Sequence, residues 1–274
     1  MNGRYTWKTG IREGVMIVLA LIAMFPVYLL INMSIRPASD LTSALIPTTN
    51  PTLDNFATAW LGSNLPTALL NSMLVAGGSV IILVVLASSA AYGIVRMTSR
   101  WSSLIFYLFM LGLFIPVQLS MIPLYRWFAE AGLLGGILPL ILVYVGMRMP
   151  FTVFLYVAFL RQLPREYEES ASIDGASPFQ TFRRIILPLS SAVTGTAVIL
   201  NALFAWNDFM LPLLYLGGSR NPTVPVEIYS FIGDSFTNWP VLFACLLIGI
   251  IPILVLFLIV QKSLIKGFAS GIKG

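Results

Sequence analysis

Few side chains in this chain of 274 residues are able to do chemistry, and those few fall into three groups. There is no His and one Cys, Cys245, so an intrachain disulfide is impossible and no metal site is expected. A phosphate-cradling loop requires Gly-Lys before Ser or Thr, and no Gly-Lys step occurs anywhere in the chain. No catalytic residue and no bound cofactor are expected, and the chain is not read as an enzyme. The first group is the polar segment Arg161–Pro188, RQLPREYEESASIDGASPFQTFRRIILP. The second is Arg148, Phe204 and the string Trp206-Asn207-Asp208, all set in apolar surroundings. The third is a set of aromatics, Tyr229, Phe231 and Trp239, within Gly217–Pro240.

The elements that must position these groups follow from composition. Hydrophobic residues make up 58% of the chain and charged residues 10%, against about 25% charged in water-soluble domains. The bilayer is therefore the expected solvent. Runs near 20 apolar residues mark spanning helices, and six appear, with a single transmembrane domain expected over 1–274: Gly14–Ile35, Thr67–Val95, Leu104–Tyr125, Ile137–Leu160, Leu189–Leu216 and Val241–Gln261. The fold class predicted is all-α, a polytopic membrane protein of six transmembrane helices with a structured loop between the fourth and fifth. The first run exceeds the ~7–15-residue core of a signal peptide and is expected to remain as a helix. Small residues at Ala76–Ser79, Ala87–Ala91 and the Ser191/Gly195 pair are read as helix-packing positions. A further short helix is expected at Leu53–Trp60 in the Pro-rich segment Arg36–Pro66.

Twelve of the sixteen Lys and Arg fall on the side that also holds both termini, leaving Arg36, Arg126, Arg148 and Arg220 elsewhere. The positive-inside rule then places both termini in the cytoplasm. The net charge of +5 is a topology signal, and binding of nucleic acid is not expected. Arg161–Pro188 lies on the same cytoplasmic side.

That segment carries its own helix punctuation. Pro164 suits a first helical position, followed by Glu166, Glu168 and Glu169 in turns that favour negative charge. Asp174-Gly175 is a stop, Gly being the usual left-handed cap. Ser177-Pro178 starts a second helix, with Ser as the N-cap and Pro just inside. Two short helices around a tight elbow are predicted.

Glu169-Ser170-Ala171, Gly175 and the run Ile186-Leu187-Pro188 resemble the EAA motif of binding-protein-dependent ABC importer permeases, with Ser170 departing from the usual Ala. Asp174-Gly175-Ala176 with Phe182, Trp206-Asn207-Asp208 and the terminal Lys266-Gly267-Phe268 to Lys273-Gly274 narrow the resemblance. It is to the carbohydrate branch and the second membrane subunit of maltose-type importers. The resemblance implies a subunit that forms the translocation path of an ATP-driven sugar importer with a second, homologous permease, a heterodimer. It implies a multi-pass place in a bacterial or archaeal cytoplasmic membrane, two partner ATP-binding subunits holding ATP and Mg, and an extracytoplasmic sugar-binding protein. Glu168, Glu169, Ser170, Ala171, Asp174, Gly175, Ala176, Phe182 and Pro188 are then the ATPase-coupling residues. The tail Lys262–Gly274 would also contact the ATPase pair. Tyr229, Phe231 and Trp239 would meet the binding protein, or anchor their loop at the membrane interface.

A charge at the centre of a spanning helix costs about 2.5–3.5 kcal/mol on insertion scales, so it faces a cavity or a partner. Two readings of Arg148 and Asp208 stay open: mutual neutralisation, or a polar path. In the path, Asn207 and Asp208 meet sugar hydroxyls, Trp206 or Phe204 stacks on the sugar, and Arg148 favours an acidic or phosphorylated one. The alternative function is a secondary transporter driven by an ion gradient. It would carry paired acids inside the spans and an internal repeat, whereas Asp208 is alone among the acids there.

Overall fold

In the computed structural model the chain is helical, with no strand among the described residues, 7–97, 100–217, 219, 221–232 and 238–271; side chains are described except at 8 and 262–271. The helices in order are α1 Trp7–Ser34, α2 Asp54–Leu61, α3 Leu65–Arg96, α4 Arg100–Gly112, α5 Val117–Glu130, α6 Ile137–Leu160 and α7 Glu166–Ile173. There follow α8 Pro178–Thr181, a π-helical turn Phe182–Ile186, α9 Leu187–Leu189, α10 Ser191–Asn207, α11 Met210–Leu216, α12 Val224–Ser230 and α13 Trp239–Gly271. Among the described residues four helices are long and apolar enough to cross a membrane, and the count reaches six if each of two bent helix pairs is one span.

Two of the expected runs are not straight. Leu104–Tyr125 divides into α4 and α5, which meet at 91° across Leu113–Pro116. Pro116 precedes α5 in an extended conformation (φ −60°, ψ 124°) and disfavours helix at Ile115. Gly112 ends α4 against α6, where an added Cβ would lie 2.9 Å from Pro150 Cγ. The run Leu189–Leu216 is interrupted at Asp208-Phe209. Pro212 has no N–H to give the Asp208 carbonyl one turn earlier, and its ring would clash there. The Asp208 carboxylate instead accepts the Met210 N–H at 3.1 Å and starts α11 afresh. A second bend, of 74°, separates the Pro178–Leu189 segment from α10. Pro188 removes another ladder donor, and just before it the Leu187 N–H bonds to the Phe182 carbonyl, five residues back, as a π turn requires.

The chain forms two packed units, Thr67–Glu227 with Ile251–Gly274, and Met1–Pro66 with Ile228–Ile250. In the first, α6 packs against α4, α10 and α11. A buried cluster joins Ala87, Ala91 and Ile94 of α3 to Val153, Tyr156, Val157 and Leu160 of α6 and to Ile186, Val193 and Ala197. Ala87 and Ala91 are fully buried, the close approach that a small-xxx-small spacing permits.

In the second unit, α1 leads into a folded clasp around Arg36, which is 2% exposed. Its guanidinium donates to the Thr42 hydroxyl and to the carbonyls of Thr42, Ser43 and Ile46, and lies 3.5 Å from Asp40. Asn32 and Asn55 close the clasp by donating to backbone carbonyls at 44, 46, 34 and 36. The hydroxyl and N–H of Thr42 hold the Asp40 carboxyl below its usual value of 3.8. The stabilisation from Asp40 is therefore complete above that value and is lost as pH falls through the lowered one. Leu53–Trp60, read from sequence as one short helix, is α2.

Candidate functional site

The segment Arg161–Pro188 forms the elbow its residues call for. Glu168 and Glu169 both donate their N–H to the Arg165 carbonyl, so Arg165 caps α7 and Pro164 precedes the helix instead of opening it. The three acids Glu166, Glu168 and Glu169 occupy the first turns, where the helix dipole favours them. At the other end the Gly175 N–H bonds to Ser172 and the Ala176 N–H to Ala171, at 3.1 and 2.9 Å. That paired pattern is the Schellman stop, and Gly175 takes the left-handed φ of +78° it needs. The second limb opens with a reciprocal capping box: Ser177 Oγ accepts the Gln180 N–H while the Gln180 side chain accepts the Ser177 N–H. Pro178 is the first helical residue.

Arg96, the last residue of α3, ties this elbow to the helical bundle. Its Nε donates to Glu168 Oε1 at 2.7 Å and a terminal nitrogen donates to the Leu163 carbonyl at 3.2 Å. Both side chains of the pair are largely buried. Ala171 is buried, and the Phe182 ring packs at a tilt on Tyr92 of α3 with centroids 5.2 Å apart. The nine motif residues therefore separate by role. Glu168, Ala171 and Phe182 hold the elbow to its own chain; Ala176 is half-buried; Glu169, Ser170, Asp174, Gly175 and Pro188 are exposed. Two apolar side chains stand out beside them, Ile173 at 87% and Phe179 at 69% exposed, one on each limb. Sequence reading passed over both, although an Ile and a Phe within a polar loop are a signal in themselves.

No atom lies within 4 Å of a Cβ added at Gly175, so the cost of replacing it is conformational. Gly175→Val is expected to cost about 1–2 kcal/mol and to cut transport sharply, with Gly175→Asn near wild type because Asn tolerates this conformation. Rates in matched membrane preparations check this.

The second group assembles between α6, α10 and α11. Arg148 Nε donates to Asn201 Oδ1 at 2.8 Å, and Asn201 donates to Thr152 Oγ1 and the Ala197 carbonyl. The guanidinium carbon lies 4.5 Å from the ring centroids of both Phe151 and Phe204. Asp208 accepts the Tyr144 hydroxyl at 2.7 Å. Arg148 and Asp208 thus have separate partners, and no ion pair joins them. Asn207 is exposed and donates to the Leu203 carbonyl, while Trp206 is buried. Asn201, Thr152 and Tyr144 escaped sequence reading because partners 49 to 64 positions apart leave no local pattern.

The third group begins where Asn71 and Ser72 of α3 bond to the backbone at Pro222 and Val224, seating the start of α12. Tyr229 and Trp239 are each 54% exposed, and Phe231 is half-buried. Residues 218, 220 and 233–237 lie outside the described residues, as do Arg4, the side chains of the tail from Lys262 and residues 272–274.

A family model described as binding-protein-dependent transport system inner membrane component matches residues 83–269, a stretch that contains the elbow and the Arg148 and Asp208 groups. The chain belongs to this family. The permease is 34% identical over 251 residues to the melibiose/raffinose/stachyose import permease protein MelC of Bacillus subtilis, covering 91% of each chain. It is 34% identical to the multiple sugar-binding transport system permease protein MsmG of Streptococcus mutans, covering 92% of each. The trehalose transport system permease protein SugB of Mycobacterium tuberculosis is also 34% identical, over 92% of this chain and 93% of that one. The same fold is found in a bacterial ABC transporter that imports the acidic polysaccharide alginate, with TM-score 0.82 at 18% identity over 95% of this chain and 99% of that one. A second structure of an alginate ABC transporter, in complex with an alginate pentasaccharide-bound periplasmic protein, aligns with TM-score 0.67 at 17% identity over 93% of this chain and 96% of that one. The permease is a transport subunit rather than an enzyme.

Proposed function

We propose that this permease subunit forms the translocation path of an ATP-driven sugar or oligosaccharide importer together with a second, homologous permease, and works by alternating access. Two separate ATP-binding subunits supply hydrolysis, with ATP and Mg bound there, and an extracytoplasmic sugar-binding protein delivers the substrate. The observation that carries the reading is the elbow of α7 and α8. It is capped at the stop of its first limb and at the start of its second, and is tied to α3 by Arg96. It still presents Glu169, Ser170, Ile173 and Phe179 outward. A loop with no partner gains nothing from exposing an Ile and a Phe, whereas an interface needs a rigid polar rim around apolar anchors. The Lys and Arg distribution puts this face, with both termini, in the cytoplasm. The tail Lys262–Gly274 joins the same ATPase contact, and Tyr229, Phe231 and Trp239 meet the binding protein. Relatives named for melibiose, trehalose and multiple-sugar transport support sugars as the substrate class.

Affinity purification of the tagged chain from its native membrane tests this. An ATP-binding subunit and a second permease should co-purify, and uptake by the reconstituted complex should require ATP. A chain that transports alone on an ion gradient contradicts the reading.

A further inference from the structure

The α10–α11 interruption opens onto a cleft of about 440 Å³. Its wall includes Gln118 and Met121 of α5, Met147 of α6, and Phe204, Asp208 and Met210 around the break. Arg148 stands behind this wall. Its guanidinium is held against Phe151 and Phe204, and its Nε is committed to Asn201. The one formal charge lining the cleft among the described residues is the Asp208 carboxylate.

The chemistry of that lining is selective. Each oxygen of Asp208 accepts one bond from the chain, from the Met210 N–H and from the Tyr144 hydroxyl. A carboxylate has about four acceptor positions, so two remain for donors in the cleft. Gln118 is exposed and its side chain makes no hydrogen bond among the described residues, adding a free carboxamide. Phe204 is braced by Arg148 and, at right angles, by Tyr144 with centroids 6.0 Å apart. It offers a fixed aromatic surface, and the three Met side chains offer an adaptable apolar one.

We infer that this cleft is a sugar subsite of the permease itself, specific for a neutral glycosyl unit, with Asp208 and Gln118 taking the hydroxyls and Phe204 the apolar sugar face. This rests on the sugar-importer reading above and deepens it. A uronate or phosphorylated sugar here would bring a second negative charge to Asp208 in a low-dielectric setting, which is strongly unfavourable. Arg148 acts as a positioning residue for Phe204, and the acidic-substrate preference its charge suggests in the sequence does not follow from where that charge sits.

The complete importer, reconstituted with both permeases, ATP-binding subunits and binding protein, is assayed with raffinose, trehalose and maltotriose as neutral probes and trigalacturonate as the anionic one. Uptake of a neutral probe is expected, with trigalacturonate excluded. Asp208→Ala and Phe204→Ala should each raise the half-saturating concentration about tenfold, the loss of one charge-assisted hydrogen bond or one stacking face. Gln118→Ala, an exposed and unbonded position that does not threaten folding, should raise it about threefold. Uptake of trigalacturonate, or unchanged neutral uptake by Gln118→Ala and by whichever of the other two variants co-purify with the partners, overturns the subsite and leaves the importer reading standing. Uptake of no probe, neutral or anionic, overturns the importer reading and the subsite with it.

Discussion

Glu169→Lys should leave the chain inserted in the membrane at normal level and reduce ATP-driven uptake to background. Glu169 is exposed on α7 and takes no part in anchoring the elbow, which Glu168, Ala171 and Phe182 do. Its replacement therefore removes nothing that holds this chain together. On an interface, however, a carboxylate facing a cationic group becomes a cation facing a cation. Truncating a buried interfacial charge costs about 2–5 kcal/mol, and reversal adds repulsion to that loss. A hundredfold or greater loss of coupled uptake follows from about 2.8 kcal/mol. Ile173→Asp and Phe179→Asp should act in the same direction through the apolar anchors. Normal uptake by Glu169→Lys would mean that this face of the elbow meets no partner.

The second large effect concerns the Arg96–Glu168 pair. Arg96→Glu puts two carboxylates where a 2.7 Å charge-assisted hydrogen bond stood and releases the Leu163 carbonyl. For a largely buried pair the loss is on the order of 2 kcal/mol or more, between the values of exposed and fully buried bridges. The elbow then loses its tether to α3, and uptake is expected to fall more than tenfold. Glu168→Arg alone should be comparably damaging. The double exchange, Arg96→Glu with Glu168→Arg, should recover a substantial part of the activity, because the pair is rebuilt with its sense reversed. A double variant no better than either single one would show that Arg96 and Glu168 act separately. The measured interaction energy of this cycle isolates the tether from other effects of each substitution.

Glu169 and the Arg96–Glu168 pair stand on either side of what was legible in the sequence. The elbow was readable because its signals are local: Gly175 for a left-handed stop, Ser177-Pro178 for a start, acids in the first turns. Only Pro164 differs, lying just ahead of the helix because Arg165 supplies the first carbonyl. The span Ile137–Leu160 coincides with α6, since an unbroken apolar run bounded by Gly136 and Arg161 has few alternatives. Bends were harder. Pro116 and Pro212 were visible, but whether a proline kinks a helix or ends it depends on neighbours such as Gly112 against Pro150 and the Asp208 side chain. Pairings were hidden altogether. Nothing near Arg96 announces Glu168, 72 positions later, and nothing near Arg148 announces Asn201. Long-range partners are chosen by the fold, and charge and spacing alone left open whether Arg148 and Asp208 meet each other or line a polar path.

The central claim is that the elbow seats in an ATP-binding partner, and site-directed cross-linking tests it most directly. The chain has a single cysteine, Cys245, and it is buried, so Glu169→Cys and Ile173→Cys each add one accessible thiol. In membranes holding the complete importer, a short thiol-directed cross-linker at either position should join this chain to the ATP-binding subunit, with a yield that changes when nucleotide is added. A complex that transports normally yet gives no such adduct from either position, while the same reagent labels both thiols, would contradict the account.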